Sequence, residues 1–334
     1  MNGSARCAAL LCLSWVLSLP VPEASATVLL EDGFDGTGVD MDKWCLADPG
    51  MVHGQSRMGL PPVIHDGMAT FEHHTYDPEN PGLFCLGSEI RSRRRDFYPD
   101  GPGREVIEIE VRTRFRTQGI GGVVGAAFLY MDEPDSTCCP QGLVSDEIDM
   151  EFLSNQIVVF PDHVGHHPVL AAYGDFCGQW YDGVHHWFTN PTVPGLNLQE
   201  FNIFKLRWRL DSVEWFWQSP DGTDVLLAAT VNAVPDDPMA LYLNTWASDD
   251  YWPLAWQRDM RPGSPDRACY FDVDYVRASC IPEPSATALV LWATSCLVGH
   301  RHPKRRNGRT RSQGGSLDDQ PNDNQELRYR VPSR

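Results

Sequence analysis

The chain of 334 residues carries 45 acidic against 27 basic side chains, a formal charge of −18, which argues against nucleic acid as a partner. Residues 27–280 are more acidic still, with 39 Asp/Glu and 17 Lys/Arg, whereas a neutral polymer is not repelled by such a surface. Length admits one large all-β domain or two ordinary domains and decides nothing further.

In chain order, residues 1–26 contain Arg6, the apolar run Ala8 to Leu19 and then Ala24-Ser25-Ala26. This is the pattern of a secretory signal with a small-residue cleavage site, so export is expected and Thr27 is read as the mature start. From Thr27 to Cys280 the chain reads as short strands between Pro/Gly/Asp-rich loops, and no long stretch keeps a helical period. In Val106 to Phe115, Ile107, Ile109 and Val111 alternate with Glu108, Glu110, Arg112 and Arg114, the period-two pattern of a half-buried strand. Gly121 to Tyr130 is continuously apolar and small, as a strand buried on both faces would be. Phe204, Leu206, Trp208 and Leu210 alternate again, and after a turn at Asp211-Ser212 so does Val213 to Gln218, which predicts a hairpin. Many short strands over about 250 residues predict an all-β fold, one sandwich rather than two domains. Seven cysteines lie in this region (Cys45, Cys85, Cys138, Cys139, Cys177, Cys269 and Cys280), and in an exported chain some are expected in disulfides. No Cys or His grouping has zinc spacing, and the paired histidines His166-His167 and His185-His186 have no acidic partner at such spacing.

The segment Asp146-Glu147-Ile148-Asp149-Met150-Glu151-Phe152 carries the chemistry. As a strand it puts Glu147, Asp149 and Glu151 on one face and Ile148, Met150 and Phe152 on the other. A solvent-facing acidic strand is the bland alternative, but the apolar residues between the acids anchor the strand on a core. Stacked like charges on a regular strand also destabilise it. Two carboxylates brought together on a concave sheet suit glycosidic cleavage, one attacking the anomeric carbon while the other, kept protonated by crowding, donates to the leaving oxygen.

This segment resembles the catalytic signature of glycoside hydrolase family 16, in particular of members with one residue between the Asp and the second Glu. Other stretches are similar to the family in the same order: Leu30 to Gly36, Asp42-Lys43-Trp44, Gly87 to Ser92, Tyr242 to Trp246 and Phe271 to Arg277. The resemblance implies a β-jelly-roll sandwich of two curved antiparallel sheets, concanavalin A-like, over residues 27–280. It implies Glu147 as nucleophile, Glu151 as acid/base and Asp149 as the partner that orients Glu147. Glu89, Arg91, Asn244 and Trp246 would bind sugar, joined by the loop tryptophans Trp252 and Trp180. The expected activity is retaining endo-hydrolysis of a β-glucan-type polysaccharide by double displacement, in a monomer. Transglycosylation at the same site and non-catalytic glycan binding are the alternatives. No cofactor is required for catalysis; the structural calcium of many relatives would fall to Glu31 and Asp274.

Beyond Cys280, Pro282-Glu283-Pro284, the apolar run Ser285 to Gly299 and the basic cluster Arg301, Lys304, Arg305 and Arg306 resemble the PEP-CTERM sorting signal of exported bacterial proteins. At about fifteen residues the run is short for a membrane span, and transient membrane association through 285–306 is expected. Residues 307–334 read as a disordered polar tail.

Overall fold

The computed structural model describes residues 26–282, apart from 102, 134–143, 160–165, 177–183, 189–192, 251, 258–259, 261 and 263–264; for 132, 133, 159, 175, 176 and 184–188 it describes the main chain only. Nearly all of the expected signal and sorting segments, the tail 307–334 and Trp180 lie outside the described residues.

The alternating segments form the strands expected of them, because an extended chain can bury every second side chain while satisfying its main chain in ladders. One layer runs β2 (Trp44–Leu46), β7 (Cys85–Ser92), β16 (Ala240–Ala247), β9 (Val123–Glu133), β10 (Val144–Leu153), β11 (Val169–Phe176) and β12 (Val184–Phe188), each neighbouring pair antiparallel. The second layer runs β15 (Asp224–Thr230), β14 (Ser212–Gln218), β13 (Asn202–Arg209), β8 (Val106–Thr117) and β17 (Ala268–Ile281). The free side of β17 takes β6 (Met68–His74) along one half and β1 (Thr27–Asp32) along the other, and β5 (Val63–His65) continues from β6. A single pairing of His74 on β6 with Leu86 on β7 links the layers, so the sheet is nearly closed. The short strands β3 (Val52–His53) and β4 (Ser56–Leu60) lie at the side of β7, β4 running parallel to it. The result is a β-jelly-roll sandwich. The predicted hairpin is β13–β14, which closes at Arg209 and Ser212.

The core lies between the layers. Ile148, Met150 and Phe152 point into it from β10, and Phe204, Trp215 and Phe271 meet them from the other layer. Phe152 sits 4.9 Å from Phe204 and 5.5 Å from Phe271 between ring centroids, and Phe271 also touches Phe71 and Phe115. Gly125 on β9 lets these rings approach, since a Cβ there would come within 2.8 Å of the Phe271 ring. Outward residues of β13 form charge pairs with the strands beside it, Arg207 with Glu108 on β8 at 2.7 Å and Lys205 with Asp224 on β15 at 2.9 Å.

Of the seven cysteines, Cys45, Cys85, Cys269 and Cys280 are free, and Cys138, Cys139 and Cys177 lie outside the described residues. One expectation changes. The segment Gly121 to Tyr130 is buried on both faces only in part: Phe128 and Tyr130 are half-exposed, because the face of β9 they share with the β10 acids opens there.

Candidate active site

β10 runs unbroken beside β9 from Val144 to Leu153, with no bulge among the three acids. Directly paired residues in an antiparallel sheet project to the same side, so the ladder registers give the surroundings of each acid. Glu147 lies between Tyr130 on β9 and Tyr173 on β11, Asp149 between Phe128 and Ala171, and Glu151 between Ala126 and Val169. One strand further, Phe128 pairs with Tyr242 and Ala126 with Asn244, and these pair in turn with Arg91 and Glu89 on β7. The predicted acids and the predicted sugar-binding residues Glu89, Arg91, Asn244 and Trp246 therefore share one face. With neighbouring strands roughly 4.8 Å apart, Asn244 is about 10 Å and Glu89 about 14 Å across the sheet from Glu151. Small side chains at Ala126 and Ala171 leave a floor beside the acids, and the aromatic rings of Phe128 and Tyr242 stack at 5.0 Å further along it.

Glu89 and Asn244 are buried together, Asn244 Nδ2 donating to Glu89 Oε2 at 3.0 Å. Burial raises the Glu89 pKa against the pull of that bond and of the Arg91 charge. The Arg91 guanidinium lies over the Tyr242 ring at 5.9 Å.

Trp246 is half-exposed and stacks on Trp252 at 5.7 Å, with His53 edge-on at 4.3 Å. Gly54 makes the second contact feasible: it has φ +53°, and a Cβ there would come within 2.3 Å of the Ala247 carbonyl oxygen. Trp252 itself is buried against Val124, Ala126, Leu153, Val169 and Ala255, so it supports Trp246 and builds a wall over the Leu153 end of the face. Asn155, in the short helix α1 (Ser154–Val159) that follows β10, holds that wall. Its Nδ2 donates to the carbonyls of Leu254, Ala255 and Trp256 at 2.9, 2.8 and 3.2 Å, and its Oδ1 accepts from Gly122 N at 2.7 Å. Neither His53 nor Asn155 stands out in the sequence.

The three acids control one another's protons. Burial, with only a partial offset from the Asp149 hydrogen bond, pushes Glu147 up to about 7. Burial and then the Glu147 charge push Glu151 up to about 8. Asp149 is raised well above the usual carboxylate range by burial and by both neighbours, and its hydrogen bond to Glu147 requires a proton between the two groups. The face thus offers two glutamates four residues apart, Glu147 and Glu151, both raised toward neutral pH, with Asp149 hydrogen-bonded to Glu147 between them.

Each of these carboxyls binds protons more readily in the folded chain than in the unfolded one. Their contribution is full below about pH 4 and is lost as pH rises through the folded values. Glu151→Gln is therefore expected to raise Tm by at least about 2 °C at pH 9, where wild type bears the crowded charge, and to change it less at pH 5. Thermal unfolding at both pH values checks this, and an equal shift at both would contradict it.

The carboxylates that the resemblance offers to calcium do not fit a cation. Glu31 pairs with Arg277 and Asp274 with Arg112, so each is already neutralised by a guanidinium. A separate group, Asp146, Asp236 and Asp237, brings its oxygens within 4.8 Å of one another, but Asp146 Oδ2 already accepts the main-chain N–H groups of Asp236 and Asp237.

No family model matches the chain, and no curated protein matches it. Solved structures do. A prokaryotic β-1,3-1,4-glucanase (lichenase) derived from a mouse hindgut metagenome aligns with a TM-score of 0.53 at 19% identity, over 75% of this chain and 99% of that one. The catalytic domain of an endo-1,3-β-glucanase (laminarinase) from Thermotoga petrophila RKU-1 aligns at 0.51 and 16%, over 76% and 98%. An endo-β-1,3-glucanase from Pyrococcus furiosus aligns at 0.51 and 18%, over 76% and 94%. At such identities the likeness establishes the fold.

Proposed function

We propose that this chain is a retaining endo-β-glycosidase of the glycoside hydrolase family 16 type, acting on a β-glucan-like polysaccharide. The observation that carries the reading is the set Glu147, Asp149 and Glu151 on one face of a strand that runs without a register shift from Glu147 to Glu151. The three matching structures named above are β-glucanases, which supports the choice of polymer.

In the first step the Glu147 carboxylate attacks the anomeric carbon. The bond to the departing oxygen breaks, and Glu151 gives that oxygen its proton. Asp149, protonated, donates a hydrogen bond to the Glu147 oxygen not engaged with sugar and keeps the nucleophile aimed. Glu151, now a carboxylate, takes a proton from water; the water attacks the glycosyl-enzyme and Glu147 leaves. Asn244, Glu89 and Arg91 hold hydroxyls of the sugars on the β7 side, while Trp246 offers a ring to a pyranose face. Residues 1–26 support export of the enzyme to where such polymers occur.

The test is to incubate the protein with lichenan, laminarin, xyloglucan, agarose and carrageenan and to follow the new reducing ends by proton NMR from the first minutes. The β-anomer appearing first, ahead of mutarotation, is the expected result. An α-anomer appearing first, or no cleavage of any β-glycan, would overturn the reading.

A further inference from the structure

Behind the acids, on the core side of β10, lies a contact that sequence patterning gives no reason to expect. Trp215 on β14 is fully buried in the opposite layer, and its indole Nε1–H donates to the main-chain carbonyl of Asp149 at 3.0 Å. Asp149 is paired on both sides, with Phe128 on β9 and Ala171 on β11, so its carbonyl lies in a continuous sheet whose donors come from the flanking strands. A donor arriving from beneath takes the second lone pair of that oxygen and draws the peptide toward the core. The peptide between Asp149 and Met150 is thereby fixed from three directions.

Beside the indole the register between β14 and β15 shifts, with Trp215 opposite Ala228 and Phe216 opposite Leu226, so the extra residue, Leu227, lies on β15 and β14 itself runs on without one. Nearby tryptophans do not share the contact. Trp217 spends its N–H on the Asn202 side chain, and the equally buried Trp208 makes no hydrogen bond through Nε1.

We propose that Trp215 is a positioning residue for the acid ladder: by holding the Asp149 peptide from behind, it keeps the Asp149 carboxyl on Glu147 and the Glu151 side chain at its working angle. A strand turns its next side chain through the peptide that precedes it, so a small rotation at residue 149 moves both neighbours in opposite senses. Displacements of an ångström at a reacting group cost up to about 100-fold in rate. The effect on turnover rests on the glycosidase reading; the effect on the protons of the ladder does not.

Two variants separate the N–H from the ring. Trp215→Phe removes the donor and part of the ring. Replacement of Trp215 by 3-benzothienylalanine, introduced by codon suppression, keeps the bicyclic shape and exchanges only N–H for sulfur. With wild type and Glu147→Gln as controls, both variants are expected to lose roughly 10- to 100-fold in kcat with KM within about twofold, and to move the acid limb of kcat/KM upward. Carbon-13 NMR titration of the Glu and Asp carboxyls gives the readout that needs no turnover. Loss of the Asp149 contact should carry the Glu147 titration to higher pH and alter that of Glu151, which the Glu147 charge influences, while Tyr130 on β9 and Tyr173 on β11, which also face Glu147, are unchanged. Unaltered kcat and titration in the benzothienyl variant would overturn the proposal. If wild type cleaves no glycan yet the titration moves, the positioning role stands and the glycosidase reading falls.

Discussion

Glu147→Gln, which keeps the shape of the side chain and removes its charge, is expected to lower kcat on the best β-glycan substrate by about 10³-fold or more, while KM or the binding constant for the polymer changes little. The expectation follows from geometry. Glu147 faces the same space as Asn244, Glu89 and Trp246, which on the proposed function hold sugar whether or not it reacts, so deleting the attacking oxygen would remove a transition-state interaction and leave ground-state contacts in place. Initial rates and affinity electrophoresis in polymer-containing gels measure the two quantities separately. Turnover within tenfold of wild type would remove Glu147 from the nucleophile's role.

Phe152→Ala carries the largest expected loss of stability, about 3–5 kcal/mol. Its ring lies between those of Phe204 and Phe271 and is buried directly behind the outward-facing acids of β10. The opposite layer cannot follow a shrinking ring, because Phe271 is braced by Phe71 and Phe115 and the ladders of β17 fix its main chain. A Tm drop of roughly 6–20 °C should accompany it at this domain size. Urea unfolding that gives a loss below about 1 kcal/mol would mean that the ring cluster does not carry the strand.

Sequence patterning was sufficient wherever the physics is local. The period-two alternation of Val106 to Phe115 and of Phe204 to Gln218 identified strands and a hairpin, and Ile148, Met150 and Phe152 told which side of the acid strand is core. The acid ladder was legible for the same reason. What could not be read is the pairing of strands distant in sequence, which alone brings Asn244 and Glu89 into line with Glu151. Trp252 looked like an exposed platform from its loop-like surroundings, but Asn155 pulls that loop down and buries the ring. Helix α1 escaped because six residues are fewer than two turns and show no period. Trp215 sits in an alternating strand like any core aromatic, and nothing in its spacing announces a bond to Asp149. Glu31 and Asp274 were offered to calcium by the resemblance, and the arginines that pair with them lie on partner strands, beyond the reach of local patterning.

The three-carbonyl grip of Asn155 makes the acid strand and the bank beside Glu151 one mechanical body. That bank cannot recede to admit a wider polymer without surrendering all three bonds at once. On the proposed function, that fixed bank predicts that a polymer branched on the Glu151 margin is a poorer substrate than one branched on the Glu147 margin.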